Sequence, residues 1–292
     1  MRARSFVINS RDIHIFTDLD GSLISHDDYT FEVALPIIAE LNRRRIEVSL
    51  CTSKTFDEVL MWQIRLGITG PFVIENGSAV FFPKKELLET DCEMLEISSL
   101  DSIESRVLGV ELDKIENILD PFRDRLVSFI HSSAEQVAQM TGLSLKEAKR
   151  AKARKYSLPL LIKDSKCHEE LSEVAKKNGL RLIKGGRFHH LQGDCDKSDG
   201  MKIIYDLLRE VRQTKPNTIA IGDSENDRDM LLHADVAVVV KRAGKHFSVL
   251  ERDNVIYTDD KAPSGWVEGV IRALRYLGLE DIEWETISKQ GR

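Results

Sequence analysis

Two aspartates, Asp18 and Asp20, stand close together at the end of an apolar run in the stretch FTDLDGSLI. Such a pair can supply a nucleophile and a proton carrier at one site, or it can be an ordinary acidic loop. A calcium loop is a further interpretation, but that pattern requires Gly at its sixth position and Glu at its twelfth. Here Gly21 is fourth and Tyr29 is twelfth, which argues against calcium.

A second acidic stretch, GDSENDRDM, follows the apolar segment TIAI and places Asp223 and Asp227 around a turn into a helix. On its own it is also typical of the acidic first turn of many helices, with Asn226 as a cap. If both acidic stretches follow strands of one parallel sheet, their carboxylates meet at the same edge. Several hard oxygen ligands at one edge suit Mg²⁺, which also binds water and phosphate oxygens.

Thr52 and Lys197 add a hydroxyl and an ammonium to the predicted site. Thr52 ends the stretch IEVSLCT, and Lys197 lies just before a helix predicted at Asp199–Arg212. The alternative for Lys197 is a solvated side chain on the surface. Mg²⁺ and an ammonium together can neutralise a phosphoryl group, as they do in phosphoryl-transfer sites.

Strand and helix patterns alternate through the first part of the chain, which predicts a parallel α/β sheet. We expect strands at Asp12–Asp18, Ile46–Ser53 and Pro71–Gly77, and helices at Phe31–Arg45 and Thr55–Gly67. Ligands of such sheets bind beyond the carboxyl ends of the strands, where Asp18, Asp20 and Thr52 are expected.

The alternating pattern stops near Pro83 and resumes at residue 193. Residues 1–83 and 193–292 are therefore predicted to form one α/β domain, and residues 84–192 an inserted α+β domain. Within the insertion, Ser133 and Ser144 are each followed three residues later by Gln or Glu, which predicts two capping boxes.

The composition predicts a folded protein without a strong preference for polyanions. The 292 residues are 42% hydrophobic and 31% charged, with a net charge of −6, so a nucleic-acid partner is not expected. The cysteines are scattered without a C-x-x-C pair, which argues against a zinc site and favours a reducing compartment. Neither a signal-peptide core nor a membrane-length apolar run is present, so we expect a cytoplasmic protein without a membrane partner. The sequence does not predict an oligomeric state.

The stretches DLDGS and GDSEND, with Thr52 at a strand end and Lys197 before a helix, resemble the four motifs of the haloacid-dehalogenase-like (HAD-like) phosphatases. Ser22 replaces the Thr that is usual in that family, which is a conservative change. The resemblance implies a parallel-sheet, Rossmann-like HAD core. An insertion between Thr52 and Lys197 is where the Cof-like subgroup carries its α+β cap domain.

The resemblance also implies a mechanism. Asp18 would attack phosphorus to form an aspartyl-phosphate, and Asp20 would protonate the leaving group and then activate water. Mg²⁺ would be held by Asp18, the main-chain carbonyl of Asp20 and Asp223, with Asp227 supporting these ligands. The hydroxyl and ammonium of the other two motifs would contact the phosphoryl group.

Within the Cof-like subgroup, the chain is most similar to the mannosyl-3-phosphoglycerate phosphatase family. The similar stretches are CTSKT, PFVIENGSAV, MTGLSLKEAKRAKARKYSLP, GGRFHHL, DKSDGMK and APSGWVEGV. The resemblance implies a small substrate in which a sugar is joined to 3-phosphoglycerate, so a carboxylate accompanies the phosphate. Lys54 and Arg187 are the expected anion-binding residues, and Arg187 offers a carboxylate two parallel donors. Either residue could instead be a surface cation.

Asn76 and His190 are further expected substrate-binding residues. Asn76 could equally hold a loop in place. His189 and His190 point to opposite faces if they lie in a regular strand, so both cannot bind one ligand. The family pattern favours His190, whereas alternation groups Arg187 with His189, and the choice between them stays open.

The expected function is Mg²⁺-dependent hydrolysis of mannosyl-3-phosphoglycerate. Glucosyl-3-phosphoglycerate or another sugar phosphate is an alternative, because the orientation of one hydroxyl leaves no trace in a sequence. A phosphomutase shares the aspartyl-phosphate step and is a second alternative. A non-catalytic binding protein is disfavoured, since every expected catalytic position is filled.

Overall fold

Two β-sheets organise the protein in the computed structural model, which describes residues 10–84, 100–185, 187–242, 245–247 and 249–279. The strands, numbered in chain order, are β1 (Ile13–Thr17), β2 (Glu47–Cys51), β3 (Phe72–Ile74), β4 (Ala79–Pro83), β5 (Ile103–Val107), β6 (Leu126–Ser128), β7 (Ser157–Ile162), β8 (Leu180–Lys184), β9 (His189–Gly193), β10 (Asn217–Gly222), β11 (Val236–Lys241) and β12 (Val255–Lys261). The α-helices are α1 (Leu35–Arg43), α2 (Phe56–Leu66), α3 (Leu112–Asn117), α4 (Ala134–Thr141), α5 (Leu145–Lys152), α6 (Ser165–Lys177), α7 (Lys197–Arg212), α8 (Arg228–His233) and α9 (Ser264–Tyr276). None of these described helices combines the length and the apolar character that crossing a lipid bilayer requires.

The larger sheet has the strand order β12-β11-β10-β1-β2-β3-β4-β5 within the described residues. Its strands pair in parallel from β12 to β3, and β4 and β5 extend it in antiparallel pairing. From β1 the chain continues to β2 on one side and later returns to β10 on the other. The end of β1 is therefore the point where the strand order reverses, and ligands of open α/β sheets bind at such points. The predicted α/β class is confirmed.

Helices cover both faces of the larger sheet, so β1 and β2 are buried along their whole length. On one face, α1, α2 and α9 pack through apolar side chains such as Ile38, Trp62 and Trp266. On the other face, α7 and α8 pack through Ile204 and Met230 among others. Because both faces are enclosed, a polar site can form only where the strands end.

Helix α2 illustrates how short-range signals fix the loops at those ends. The Thr55 hydroxyl accepts a hydrogen bond from the Glu58 N–H, and the Glu58 carboxylate accepts one from the Thr55 N–H. The helix ends at Gly67, whose φ of 66° is easily adopted by glycine. The reciprocal hydrogen bonds of Thr55 and Glu58 form a capping box, which fixes the start of α2 directly after Thr52 and Lys54.

The smaller sheet has the order β6-β7-β9-β8 and shares a separate apolar core with α3 to α6. The predicted capping boxes that begin at Ser133 and Ser144 are confirmed at the starts of α4 and α5. The predicted insertion, residues 84–192, contains nearly all of this sheet. It also contains β5, which pairs with β4 in the larger sheet. The division of the chain into two domains stays a prediction.

Candidate active site

Three buried carboxylates, those of Asp18, Asp223 and Asp227, meet at the carboxyl ends of β1 and β10. One oxygen from each lies within 4.8 Å of the others, and we call this group the acid cluster. The parallel register sets Thr17 beside Ile221, and the Asp18 N–H donates to the Ile221 carbonyl at 2.9 Å. The residues that directly follow the two strands are therefore brought to the same place.

Lys197 inserts its ammonium between two of these carboxylates. Its Nζ lies 2.6 Å from Asp18 Oδ1 and 2.5 Å from Asp227 Oδ1, and the side chain is fully buried. A capping box between Asp196 and Asp199 fixes the first turn of α7, which begins at Lys197. Burial lowers the pKa of Lys197, but the two carboxylates outweigh burial and raise that pKa above its ordinary value. The side chain is thus a buried cation rather than a solvated surface lysine.

The three carboxylates of the acid cluster outnumber the single ammonium of Lys197 that lies between them. Burial raises the pKa of Asp18 to about 7, with the charge of Lys197 opposing the rise and that of Asp227 adding to it. Burial, followed by the charges of Asp18 and Asp227, holds the pKa of Asp223 well above its ordinary value. A divalent cation beside these groups would stabilise their ionised forms.

The surroundings of Asp223 fit such a cation. Its Oδ2 is buried and accepts no hydrogen bond from the described residues, although Arg242 Nε lies 3.2 Å away as an ion pair. Its Oδ1 accepts a hydrogen bond from the Ser22 hydroxyl at 3.3 Å. Gly21 keeps the approach open, because a Cβ at that position would lie 2.6 Å from Asp223 Oδ2. The acid cluster therefore presents the oxygen donors that Mg²⁺ prefers.

Asp20 carries its carboxylate away from the acid cluster and into an ion pair with Lys54. Its Oδ2 lies 2.9 Å from Lys54 Nζ, and Glu58 Oε1 lies 3.8 Å from the same ammonium. The charge of Lys54 is thus balanced before any substrate binds. The metal contact expected of Asp20 uses its main-chain carbonyl, so this ion pair leaves that prediction open.

A cavity of about 110 Å³ lies beside the acid cluster and reaches residues of the smaller sheet and its helices. Several predicted site residues line it: Asp18, Asp20, Lys54, Arg187, His190 and Asp223. The remaining predicted residues are buried outside this lining: Thr52, Asn76, Lys197 and Asp227. The predicted residues therefore form a layer that lines the cavity and a supporting layer behind it.

Thr52 and Asn76 belong to the supporting layer. The Thr52 hydroxyl accepts a hydrogen bond from the Lys54 N–H at 3.2 Å, and the Asn76 N–H donates to the Thr52 carbonyl at 2.9 Å. Asn76 Oδ1 accepts a hydrogen bond at 3.0 Å from the side chain of Asn226, which lines the cavity. The prediction that Asn226 caps the helix is wrong: Ser224 is the N-cap of the 3-10 turn Glu225–Asp227, and Asp227 is the N-cap of α8. These contacts favour the loop-holding alternative for Asn76, and a direct substrate contact stays a prediction.

Arg187 and His190 both line the cavity, whereas His189 is not among its lining residues. Arg187 is exposed, and its guanidinium donates to the Thr141 carbonyl at 3.0 Å and to the Tyr29 hydroxyl at 3.2 Å. His190 is buried at the cavity, and burial holds its pKa well below the ordinary value, so it is neutral. His189 packs instead against the ring of His168, with ring centroids 5.0 Å apart. Strand alternation did not apply because β9 begins only at His189, after Arg187.

Sequence reasoning missed several residues that line the cavity. They are His26, Tyr29, Ser53, Phe129, Arg154 and Phe188. Ser53 adjoins Thr52 and could have been found from that neighbour. Phe129 and Arg154 carry no local signal, because only the packing of the smaller sheet on the larger one brings them to the site.

Comparisons with known proteins bear on the family to which the chain belongs. The sequence profile of a family described as haloacid dehalogenase-like hydrolases matches residues 15–104 and 164–250. A protein of Persephonella marina, named glucosyl-3-phosphoglycerate/mannosyl-3-phosphoglycerate phosphatase, is 34% identical over 90% of this chain and 97% of its own length. A protein of the same name from Methanococcoides burtonii is 32% identical over 88% of this chain and 95% of its own length.

Solved structures show the same fold at low sequence identity. BT1666 from Bacteroides thetaiotaomicron, a phosphatase of the HAD superfamily, superposes with a TM-score of 0.63 at 15% identity, over 95% of this chain and all of that one (100%). The sucrose-phosphatase of Synechocystis superposes with a TM-score of 0.58 at 12% identity, over 92% of this chain and 98% of that one. The matching profile and the two relatives show that the chain belongs to the haloacid dehalogenase-like hydrolases, as a phosphatase of that family.

Proposed function

We propose that the protein hydrolyses mannosyl-3-phosphoglycerate to mannosylglycerate and phosphate, with Mg²⁺ as cofactor and an aspartyl-phosphate intermediate. Glucosyl-3-phosphoglycerate is the alternative substrate, and the names of both relatives include the two compounds. The observation that carries the proposal is the presence of the acid cluster and Arg187 at one cavity. A phosphate ester that also bears a carboxylate matches these two features.

In the first step, a carboxylate oxygen of Asp18 forms a bond to phosphorus while the bond from phosphorus to the ester oxygen breaks. Lys197 binds Asp18 Oδ1 at 2.6 Å and so orients the carboxylate. When bound, Mg²⁺ would neutralise the phosphoryl charge. The groups that would hold it are Asp18, Asp223 and the main-chain carbonyl of Asp20, with Asp227 supporting them. Lys197 adds a fixed positive charge to the same region.

Asp20 moves the protons of both steps. It donates one to the departing ester oxygen, and it then takes one from the water that attacks phosphorus. The second attack breaks the bond to Asp18, releases inorganic phosphate, and restores the ionised carboxylate of Asp18 and the protonated carboxyl of Asp20. The ion pair with Lys54 at 2.9 Å fixes the side chain of Asp20 at the cavity.

Arg187 is assigned to the carboxylate of the substrate. Among the described residues it contacts a carbonyl and a hydroxyl but no carboxylate, so its charge is available to a ligand. Lys54 is a weaker choice for this role because Asp20 and Glu58 already balance it. Neutral His190 can exchange hydrogen bonds with sugar or glycerate hydroxyls at the same cavity.

The test is phosphate release from the mannosyl and glucosyl compounds, a sugar phosphate without a carboxylate, and p-nitrophenyl phosphate. We expect the highest kcat/KM for the mannosyl compound, dependence on Mg²⁺, and a hydroxylamine-sensitive phosphoryl label on the protein. Asp18→Asn should abolish turnover and label, whereas Asp206→Asn, an exposed aspartate on α7, should change neither. Turnover that survives Asp18→Asn, or a higher kcat/KM for the substrate without a carboxylate, would overturn the proposal.

Arg187→Ala tests the carboxylate assignment separately. Loss of a charge-assisted pair should raise KM for the phosphoglycerate glycosides about tenfold or more and leave p-nitrophenyl phosphate nearly unchanged. Lys184→Ala, an exposed cation at the end of β8, is the matched control. Equal changes in KM for both kinds of substrate would remove Arg187 from carboxylate recognition.

A further inference from the structure

Arg154 is a buried cation at the cavity whose role the mechanism above does not explain. It lies between α5 and β7, lines the cavity, and has a side chain that is only 4% exposed. A buried guanidinium is costly unless its donors find acceptors. The partners of each nitrogen therefore indicate what this residue is built to bind.

Three of its five N–H donors are satisfied within the described residues. Nε donates to the Ser157 carbonyl at 3.0 Å, and Nη2 donates to the Ser53 carbonyl at 2.6 Å and to the Ser157 hydroxyl at 2.8 Å. The two donors of Nη1 have no acceptor among those residues, and Nη1 is not sealed from solvent. One edge of the guanidinium is thus held rigidly, and the other edge is open at the cavity.

Glu75 orients this arginine without occupying its open edge. Glu75 Oε2 lies 3.5 Å from Arg154 Nε, an ion-pair distance at which the two side chains form no hydrogen bond. Its carboxylate accepts hydrogen bonds from the N–H groups of Lys155 at 2.9 Å and Ser157 at 2.8 Å, and from the Ser157 hydroxyl at 2.9 Å. These bonds fix the chain from Lys155 to Ser157, directly after Arg154, so the guanidinium is preorganised before a ligand arrives.

We infer that Arg154 is a specificity-determining residue that binds the substrate carboxylate through Nη1, together with Arg187. Lys197 and the acid cluster lie at the phosphoryl end of the cavity. Among the cations of the described lining, only exposed Arg187 and buried Arg154 form no close hydrogen bond to a carboxylate, so these two are left for the substrate carboxylate. The inference rests on the proposed function, because it assumes a phosphate ester that also carries a carboxylate. It adds that two arginines, Arg154 before β7 in the chain and Arg187 after it, bind the substrate carboxylate together.

The probe pair is 3-phosphoglycerate and glycerol 3-phosphate, which differ in the carboxylate and carry no sugar. Arg154→Lys keeps the positive charge but loses the planar guanidinium that can bind a carboxylate through two N–H groups. It should raise KM for 3-phosphoglycerate about tenfold and KM for glycerol 3-phosphate less than about twofold, with kcat unchanged. Arg150→Lys on α5, whose guanidinium contacts Met61 rather than the cavity, is the matched control. Ser157→Ala, which removes one orienting acceptor, should give the same selective rise in KM.

Equal changes in KM for both esters, or no change in either, would overturn the inference. If Arg154→Lys does not fold, Ser157→Ala decides by the same criterion. The proposed function would fail in a different way. In that case the wild-type protein would prefer 3-phosphoglycerate over glycerol 3-phosphate but would not hydrolyse the mannosyl or glucosyl compound. Carboxylate recognition would then stand, and the assigned substrate would be wrong. A wild-type protein that does not distinguish the two probe esters would refute carboxylate recognition itself.

Discussion

Lys197 is the residue on which the charge balance of the acid cluster depends. Its ammonium contacts Asp18 and Asp227, and the side chain is completely buried. A lysine at this position therefore contributes to the stability of the fold and to the orientation of the nucleophile at once. The two contributions can be separated by measuring unfolding and turnover on the same variant.

Lys197→Met should lower kcat for p-nitrophenyl phosphate at least about 100-fold, because a fixed positive charge beside the reacting group is lost. It should also lower the free energy of unfolding by about 3–5 kcal/mol, the usual cost of leaving a buried charge unpaired. Steady-state kinetics and urea unfolding measure the two effects. Lys202→Met, an exposed lysine on the same helix, should change neither quantity. A Lys197→Met protein with wild-type kcat would contradict the role given to this side chain.

At the scale of elements, the turn at Glu75–Gly77 connects several parts of the site. All three residues have positive φ values of 47°, 56° and 99°, so β3 ends at Ile74 and the chain bends sharply. The Glu75 N–H donates to the Lys54 carbonyl at 3.0 Å, and the Asn76 carbonyl accepts from the Gln192 side chain at 3.2 Å. Gly77 lies against the main chain of Asp196, the N-cap of α7.

Gly77→Ala should lower the free energy of unfolding by about 2–4 kcal/mol, since it adds a close main-chain clash to an unfavourable φ. The new Cβ would lie 1.9 Å from the Asp196 carbonyl oxygen, which must move and take the start of α7 with it. Gly142→Ala is the control, because φ there is also positive (79°) but no atom lies within 4 Å of the new Cβ. Chemical unfolding of both variants measures the difference. Equal losses would show that φ alone, and not the contact with Asp196, sets the cost.

Sequence patterns predicted the parts of the fold and site that depend on short-range signals. Apolar runs ending in polar residues located β1, β2 and β10, and parallel pairing then accounts for Asp18 and Asp223 lying together. The placement of Arg154 beside Ser53 could not be predicted, because the two are far apart in sequence and lie next to strands of different sheets. Arg187 lies in an irregular segment without periodicity, so its place at the site was predicted from the family resemblance and not from a strand pattern.

For the molecule as a whole, we expect the acid cluster to link folding to the binding of a cation. Buried carboxylates with raised pKa values oppose folding near neutral pH unless a cation offsets their charge. A cation that binds only the folded chain therefore stabilises it by mass action. This effect exists whether or not a substrate is present.

Mg²⁺ at roughly 100 times its Kd should raise the free energy of unfolding by about 2.7 kcal/mol relative to protein in EDTA. Thermal unfolding without substrate measures the effect. Asp223→Asn, which removes one charge from the cluster, should stabilise the cation-free protein and reduce the response to Mg²⁺. A wild-type melting temperature that is identical in Mg²⁺ and in EDTA would count against the proposed cofactor.

His14 gives the fold a second pH dependence, far from the cavity. Burial lowers its pKa below the ordinary 6.5, despite Glu47 at 3.4 Å, so the folded chain keeps the ring neutral. As the pH falls below 6.5, the unfolded chain binds a proton that the folded chain does not, and stability is lost. His14→Gln should therefore lose less unfolding free energy than the wild type between about pH 7.5 and about pH 5.5. Identical losses in the two proteins would exclude His14 as the cause.

The turn at Glu75–Gly77 has a consequence for engineering. Because it contacts the Lys54 carbonyl, the Asn226 side chain and the N-cap of α7, a library that varies it would disturb the segments that hold Lys54, Asn226 and Lys197, and we expect few members to keep activity. Phe129, Leu143 and Phe188 line the cavity without hydrogen bonds to the acid cluster. Randomising these three positions while holding the turn constant is the route by which new sugar preferences can be selected.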